Sequence, residues 1–176
     1  RRRCWRLASR WRWNDGNAMN DDKAVALVTG GSAGLGEHIA LDLCREGFEV
    51  VVCGRRQDKL DAMLARGVGV FQCDVSQPED VLRLKSWLAA RHGRLDVLVN
   101  CAGIALQRGK FVEVDLAEVE KLMRTNVFGT MHVTQALLPL LHARKGSIIN
   151  FSSTLAQRPR AGSIAYSASK GAVEAF

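Results

Sequence analysis

From Ala24 onward, short apolar runs alternate with stretches whose apolar residues recur every three or four positions. The runs Val25 to Thr29, Glu49 to Cys53, Val68 to Val75, Leu95 to Asn100 and Gly146 to Ser152 have the length and apolar content of buried strands. Between them the spacing predicts helices. Gly34 to Arg45 carries Leu35, Ile39, Leu43 and Cys44 on one stripe and stops at Gly47. A helix over Asp58 to Ala65 ends at Gly67. Ser76 with Glu79 reads as a capping box that opens a helix running to about Arg91, with Gly93 as its stop. A long helix is predicted over Ala117 to Ala143, and a last one begins near Tyr166. Five apolar strands separated by amphipathic helices imply parallel pairing with helices on both faces. Right-handed crossovers make this an α/β, doubly wound parallel sheet in three layers. Such sheets bind ligands beyond the C-terminal ends of their strands, near the switch point.

The 176 residues, 47% of them hydrophobic, suffice for one domain with a proper core. No apolar run approaches the roughly 18 residues that a membrane span needs. The formal charge of +7 is concentrated at one end, where residues 1–18 set Arg1, Arg2, Arg3, Arg6, Arg10 and Arg12 against Asp15. The remainder carries only +2, which gives no reason to expect nucleic acid as its partner. This basic leader, with Trp5, Trp11 and Trp13, is open to three readings. It resembles an Arg-rich organellar targeting peptide, a membrane-surface or nucleic-acid arm, or upstream sequence before a natural start at Met19. The last is preferred, with residues 19–176 as the domain and a cytoplasmic location. Cys4, Cys44, Cys53, Cys73 and Cys101 form no C-x-x-C pair and are expected to be reduced, small apolar residues. His38, His92, His132 and His142 lack zinc-ligand spacing, so no metal is expected.

The first strand-to-helix junction reads Thr29-Gly30-Gly31-Ser32-Ala33-Gly34-Leu35-Gly36. Glycines there let a phosphate approach the backbone, and the helix N-terminus presents free N–H groups to an anion. A tight turn is the plain alternative, but the position between a buried strand and a helix favours a dinucleotide. No Gly-Lys-Ser/Thr sequence is present to make a triphosphate loop. Arg55 and Arg56 end the second strand, where an arginine suits a ribose 2′-phosphate and an acidic residue suits a free 2′-hydroxyl. They point to NADP(H), unless they form only a solvated basic turn. Asp74, before Val75, is placed to accept from an adenine amino group or merely to cap its loop. Asn100-Cys101-Ala102-Gly103 ends the fourth strand with small residues that admit a flat ligand. Asn126 falls on the apolar stripe Val119, Leu122, Met123, Val127, Thr130, Thr134, Leu137 and Leu141, and a buried asparagine requires partners.

Ser153 precedes Tyr166, which precedes Lys170 by four residues and so shares a helix face with it. Free tyrosine has a pKa of about 10, and a neighbouring ammonium favours the phenolate. With a serine to orient the receiving oxygen, the three form a proton relay for carbonyl or alcohol chemistry. The Tyr-x-x-x-Lys spacing is weak by itself. Taken with the glycine turn, Asp74-Val75, Asn100-Cys101-Ala102-Gly103 and Asn126, it resembles the short-chain dehydrogenase/reductase family over about Lys23 to Phe176. The resemblance implies a Rossmann-like fold and hydride transfer to or from a nicotinamide cofactor. It gives catalytic roles to Asn126, Ser153, Tyr166 and Lys170. It gives cofactor contacts to Gly30, Ser32, Ala33, Gly34, Leu35, Gly36, Arg55, Arg56, Asp74, Val75, Asn100, Ala102, Gly103, Tyr166 and Lys170. The implied partner is a small carbonyl or alcohol substrate, and a full-length form is expected to be a homo-oligomer.

The family pattern has two departures inside the chain. Cys101 stands where an asparagine is common, and Ala33 where many NADP-preferring members carry a basic residue, which leaves Arg55 and Arg56 to recognise a 2′-phosphate alone. The pattern also implies a chain shortened at its C-terminus, lacking last strands and a substrate lid, with its fifth strand edge uncovered. An inactive nucleotide-binding or interaction protein on the same fold is the alternative.

Overall fold

The computed structural model describes residues 11–12, 23–106 and 109–176. Its sheet has six strands in the order β1-β4-β3-β2-β5-β6. These are β1 (Trp11–Arg12), β2 (Val25–Thr29), β3 (Glu49–Gly54), β4 (Gly69–Gln72), β5 (Val97–Asn100) and β6 (Ser147–Asn150). The five from β4 to β6 are parallel, with Leu27 opposite Val51 on one side and Leu98 on the other. All five residues of β2 are buried, which is why this central strand shows no apolar–polar alternation. From β2 the chain winds outward through β3 and β4, then crosses to β5 and β6 on the other side. The switch point therefore lies where the C-terminal ends of β2 and β5 part, and a crevice opens there.

Alternate residues of each strand feed two cores. Leu27, Val51 and Leu98 pack with Leu84 and Leu88 of α3 (Pro78–His92) and Leu137 of α5 (Gly129–His142). Ala26, Val28, Val50 and Val52 pack with Ala40 of α1 (Gly34–Arg45) and with Leu60 and Met63 of α2 (Gln57–Leu64). β6 is outermost on its side, and its Ile148 and Ile149 are exposed, the open edge expected from the sequence.

Two expectations are corrected. The Ser76–Glu79 capping box does not form. Pro78 starts α3 behind Gln77, because Pro fits the first helical position. The Ser76 hydroxyl instead donates to Asp74 Oδ1 at 2.7 Å, and Asp80 accepts the Asp74 N–H at 2.9 Å. The long helix is broken into α4 (Leu116–Met123), a π turn (Arg124–Phe128) and α5. Within the leader, Trp11–Arg12 lies antiparallel on the β4 edge. The rest of the leader, with Met19 and Cys4, lies outside the described residues. Two short elements had no clear signature: a 3₁₀ turn at Phe111–Glu113 and α6 (Thr154–Gln157), which precedes α7 (Ile164–Ala175).

At the N-terminal ends of the strands, the His92 side chain is almost fully buried against Trp87, with Glu49 Oε1 3.7 Å from Nδ1. Glu49 alone would favour a charged ring. Burial outweighs it, and with Arg91 and Arg94 holds His92 at about 4, well below 6.5. The ring is thus neutral in the fold, and the unfolded chain takes up its proton first as pH falls. Stability from this group is complete above about pH 6.5 and lost by about pH 4, roughly 3 kcal/mol in all. Glu49, pushed up by burial, works in the opposite sense over the lower part of that window. Urea midpoints between pH 7 and 4 are expected to fall steeply, and less so in His92→Phe; equal slopes would exclude His92 as the cause.

Candidate active site

The crevice at the switch point is a cavity of about 320 Å³. Its floor depends on close backbone approach. Gly30 has φ +66°, and a Cβ there would stand 2.8 Å from Ala102 Cα. Thr29 fixes the opposite wall, its Oγ1 accepting from the N–H groups of Cys101 at 3.1 Å and Ala102 at 3.0 Å. Ala33 precedes α1 with no side-chain cap, so the first N–H groups of that helix are left for a ligand. Cys53 and Cys73 lie in the wall as thiols, and hydrogen bonding with Cys53 together with burial pushes Cys73 up.

Eleven of the proposed cofactor residues line this cavity: Gly30, Ser32, Ala33, Leu35, Gly36, Arg55, Arg56, Asp74, Val75, Ala102 and Gly103. They come from four separate strand ends, so their convergence is a property of the fold. Four others do not line it: Gly34, Asn100, Tyr166 and Lys170. Gly34 has φ +58° and open space around it, so it serves the turn. Asn100 is buried in the sheet, its Nδ2 donating to Thr134 Oγ1 and Asn150 Oδ1, both at 3.0 Å. Its amide nitrogen thus ties β5 to β6 and α5. Arg55 is half-exposed, with Nη1 3.9 Å from Asp74 Oδ2. The other oxygen of Asp74 is committed to Ser76, accepting from its N–H and hydroxyl. Asp74 thus braces Arg55 and its own turn.

At the inner end of the cavity, a Cβ on Gly103 would stand 3.3 Å from Asn126 Oδ1 and 3.7 Å from Lys170 Nζ. The motifs of β5, the π turn and α7 therefore meet at one point. Asn126 is buried, and its amide clamps the adjoining loop. Oδ1 accepts from Ile104 N–H at 2.8 Å, and Nδ2 donates to Ile104 O and Ser169 Oγ, both at 3.0 Å. Lys170 is buried, which lowers its pKa, and its Nζ donates to Phe151 O at 2.6 Å. It lies 5.9 Å from the centre of the Tyr166 ring, on the same helix face but aimed at the carbonyl. Ser152 pins that turn by donating to Lys170 O at 3.2 Å. Ser153 caps α6, accepting from Leu155 N–H at 3.2 Å. Tyr166 and Leu155 share the wall of a second cavity of about 130 Å³.

The family model for short chain dehydrogenase matches residues 24–176. The chain belongs to the short-chain dehydrogenase family. Serine 3-dehydrogenase of Rhizobium radiobacter is 33% identical over 153 residues, covering 85% of this chain and 61% of that protein. An NADP-dependent 3-hydroxy acid dehydrogenase of Salmonella typhi is 35% identical over 156 residues, covering 86% and 63%. A solved short-chain dehydrogenase from Streptomyces avermitilis superposes with a TM-score of 0.83 at 38% identity, over 89% of this chain and 59% of that one. Actinorhodin polyketide ketoreductase, solved with NADPH, gives 0.85 at 32% identity, over 90% and 64%. This short-chain dehydrogenase therefore spans less than two thirds of the length of these curated relatives.

Three contributors to the candidate site escaped the sequence reading, and Thr29, quoted at the head of the glycine motif, was given no role of its own. Thr29 had a signal, a polar residue closing the apolar run Val25 to Val28. Ser169 had a weak one, a small polar residue between Tyr166 and Lys170. Ile104 and Phe151 act through backbone groups, which side-chain patterns cannot reveal. Among the described residues, no group of three or more His, Cys, Asp or Glu could hold a metal, and no helix is long and apolar enough to cross a membrane.

Proposed function

We propose that this chain carries the cofactor-binding and proton-transfer parts of an NADP(H)-dependent oxidoreductase that interconverts a carbonyl and an alcohol. The observation that carries the reading is the meeting of Gly103, Asn126 and Lys170 at the inner end of a cavity whose wall includes Arg55 and Arg56. The residues present fit a dinucleotide. The glycine floor admits backbone approach, the uncapped α1 suits a pyrophosphate, and Arg55 with Arg56 suits a 2′-phosphate. Asp74 and Val75 would flank the adenine, and Ala102 and Gly103 the rest of the cofactor. The relatives named for NADP or solved with NADPH support the same choice.

NADPH, when bound, supplies the hydride, so that C=O becomes CH–OH. The protein supplies geometry and proton transfer. Tyr166 donates its phenolic proton to the substrate oxygen, or takes it back in the reverse direction. Lys170 holds positive charge beside that phenol and binds the nicotinamide ribose. Ser153 hydrogen-bonds the substrate oxygen as charge develops on it. Asn126 holds the loop at Ile104 against α7 and keeps a proton path from Lys170 toward solvent.

Titrating NADPH and NADH by fluorescence, alongside consumption of NADPH with a panel of ketones and aldehydes, tests the reading. NADPH is expected to bind more tightly, and Arg55→Asp to weaken NADPH by about 10-fold or more while sparing NADH. Equal losses for both cofactors would remove the 2′-phosphate argument. Tight NADPH binding with no carbonyl reduced would favour a nucleotide-binding protein without catalysis.

A further inference from the structure

Tyr166 belongs to the lining of the second cavity, and that lining is chemically one-sided. Leu106, Phe111, Val114, Leu155 and Ile164 supply most of the wall. The polar side chains are Tyr166 and Ser163. Ser163 is already spent: its hydroxyl donates to Arg160 O at 2.7 Å, accepts from Arg160 N–H at 3.2 Å and shares a hydrogen bond with Ser167 Oγ at 3.1 Å. Among the described residues lining this cavity, no lysine, arginine or histidine is present. A carboxylate entering it would exchange part of its water for apolar side chains and would meet no cation among the described residues, which is unfavourable.

The surroundings add to this selection. A wider cavity of about 370 Å³ shares Leu106, Gly109 and Val114 with the first, and its charged residues are Lys110, Glu113, Asp115 and Glu118. Three carboxylates and one ammonium thus line this neighbouring cavity, with Asp115 capping α4 through the Ala117 N–H and Glu118 paired with Lys121 at 3.5 Å. Charges this close act within a Debye length, about 8 Å at physiological ionic strength. The size is informative too. Apolar cavities of about 150 Å³ take up benzene, so about 130 Å³ has room for a compact apolar group.

We infer that the substrate is an uncharged carbonyl compound, or the matching alcohol, with a compact apolar group beside the reacting carbon, and that acids are disfavoured. This rests on the proposal that Tyr166 faces the reacting oxygen. It separates the chain from the two relatives named for serine and for 3-hydroxy acids, whose substrates carry a carboxylate.

The test is a matched pair, ethyl 3-oxobutanoate and 3-oxobutanoate, titrated by ligand-observed NMR into the protein saturated with NADP⁺, where no reduction follows. The ester is expected to bind at least about 10-fold more tightly than the acid. Ile164→Arg, at an exposed position that tolerates the change, is expected to tighten the acid and erase the preference. Arg108, beside this loop in sequence, lies outside the described residues and supplies the counter-test. An acid bound as tightly as the ester, or a preference for the acid that disappears in Arg108→Ala, would overturn the inference, as would failure of both compounds to bind. Ester preference without NADPH consumption in a separate assay would uphold the inference and sink the hydride-transfer proposal instead.

Discussion

Tyr166→Phe is expected to lower turnover with NADPH by about 10²–10⁴-fold while changing NADPH affinity by less than about 10-fold. The asymmetry follows from where the phenol lies. Tyr166 borders the small apolar cavity and is absent from the lining of the larger cavity that would hold the dinucleotide. Removing its oxygen leaves the ring, and so the packing of α7, unchanged. It also leaves Lys170, whose Nζ is anchored on Phe151 O and not on the phenol. The proton donor is lost, and the other polar side chain on the wall, Ser163, is held by Arg160 and Ser167. Steady-state turnover measured with a fluorescence titration of NADPH separates the two effects. Turnover equal to that of the parent would remove Tyr166 from the proton path. Loss of NADPH binding in proportion to turnover would make it a cofactor residue first.

The same contrast shows what the sequence could and could not convey. Strands β2 to β6 were legible because parallel strands buried on both faces read as continuous apolar runs, with glycines at the helix stops. Strand ends were less so. The run Val68 to Val75 yields only Gly69–Gln72 as strand, since beyond Gln72 the chain turns to hold Asp74 and Ser76 in mutual hydrogen bonds. Periodicity carried the long helix straight through residues 124–128, because a π turn changes the phase by less than apolar residues on both sides reveal. The break there is functional in form: it turns Asn126 inward, where its amide reaches Ile104 and Ser169. In the candidate site, residues acting through side-chain size or charge were readable, as with Gly30, Arg55 and Lys170. Asn100 carries a tie that its place at a strand end does not announce, its amide donating to Thr134 and Asn150.

Gly30 and Gly34 allow the part played by close backbone approach to be tested directly, because both have positive φ and only Gly30 lies under another chain segment. A left-handed conformation costs an L-residue roughly 1–2 kcal/mol. Gly34→Ala should incur that alone, since a Cβ there meets nothing within 4 Å. Gly30→Ala adds a Cβ 2.8 Å from Ala102 Cα and 3.0 Å from Ala102 N, atoms of a loop that Thr29 already fixes by two hydrogen bonds. Backbone cannot rotate away as a side-chain tip can, so the β5 loop must move outward from the floor of the cavity. Overpacking of this kind adds about 1–3 kcal/mol. Gly30→Ala is therefore expected to destabilise the fold by roughly 2–5 kcal/mol and to weaken NADPH by at least about 100-fold. Gly34→Ala should stay near 1 kcal/mol with NADPH affinity within a few-fold of the parent. Urea unfolding and NADPH titration on the pair read both quantities. Equal behaviour of the two variants would mean that the approach of Ala102 to the glycine turn does not shape the cofactor cavity, and would remove the floor on which the NADP(H) proposal stands.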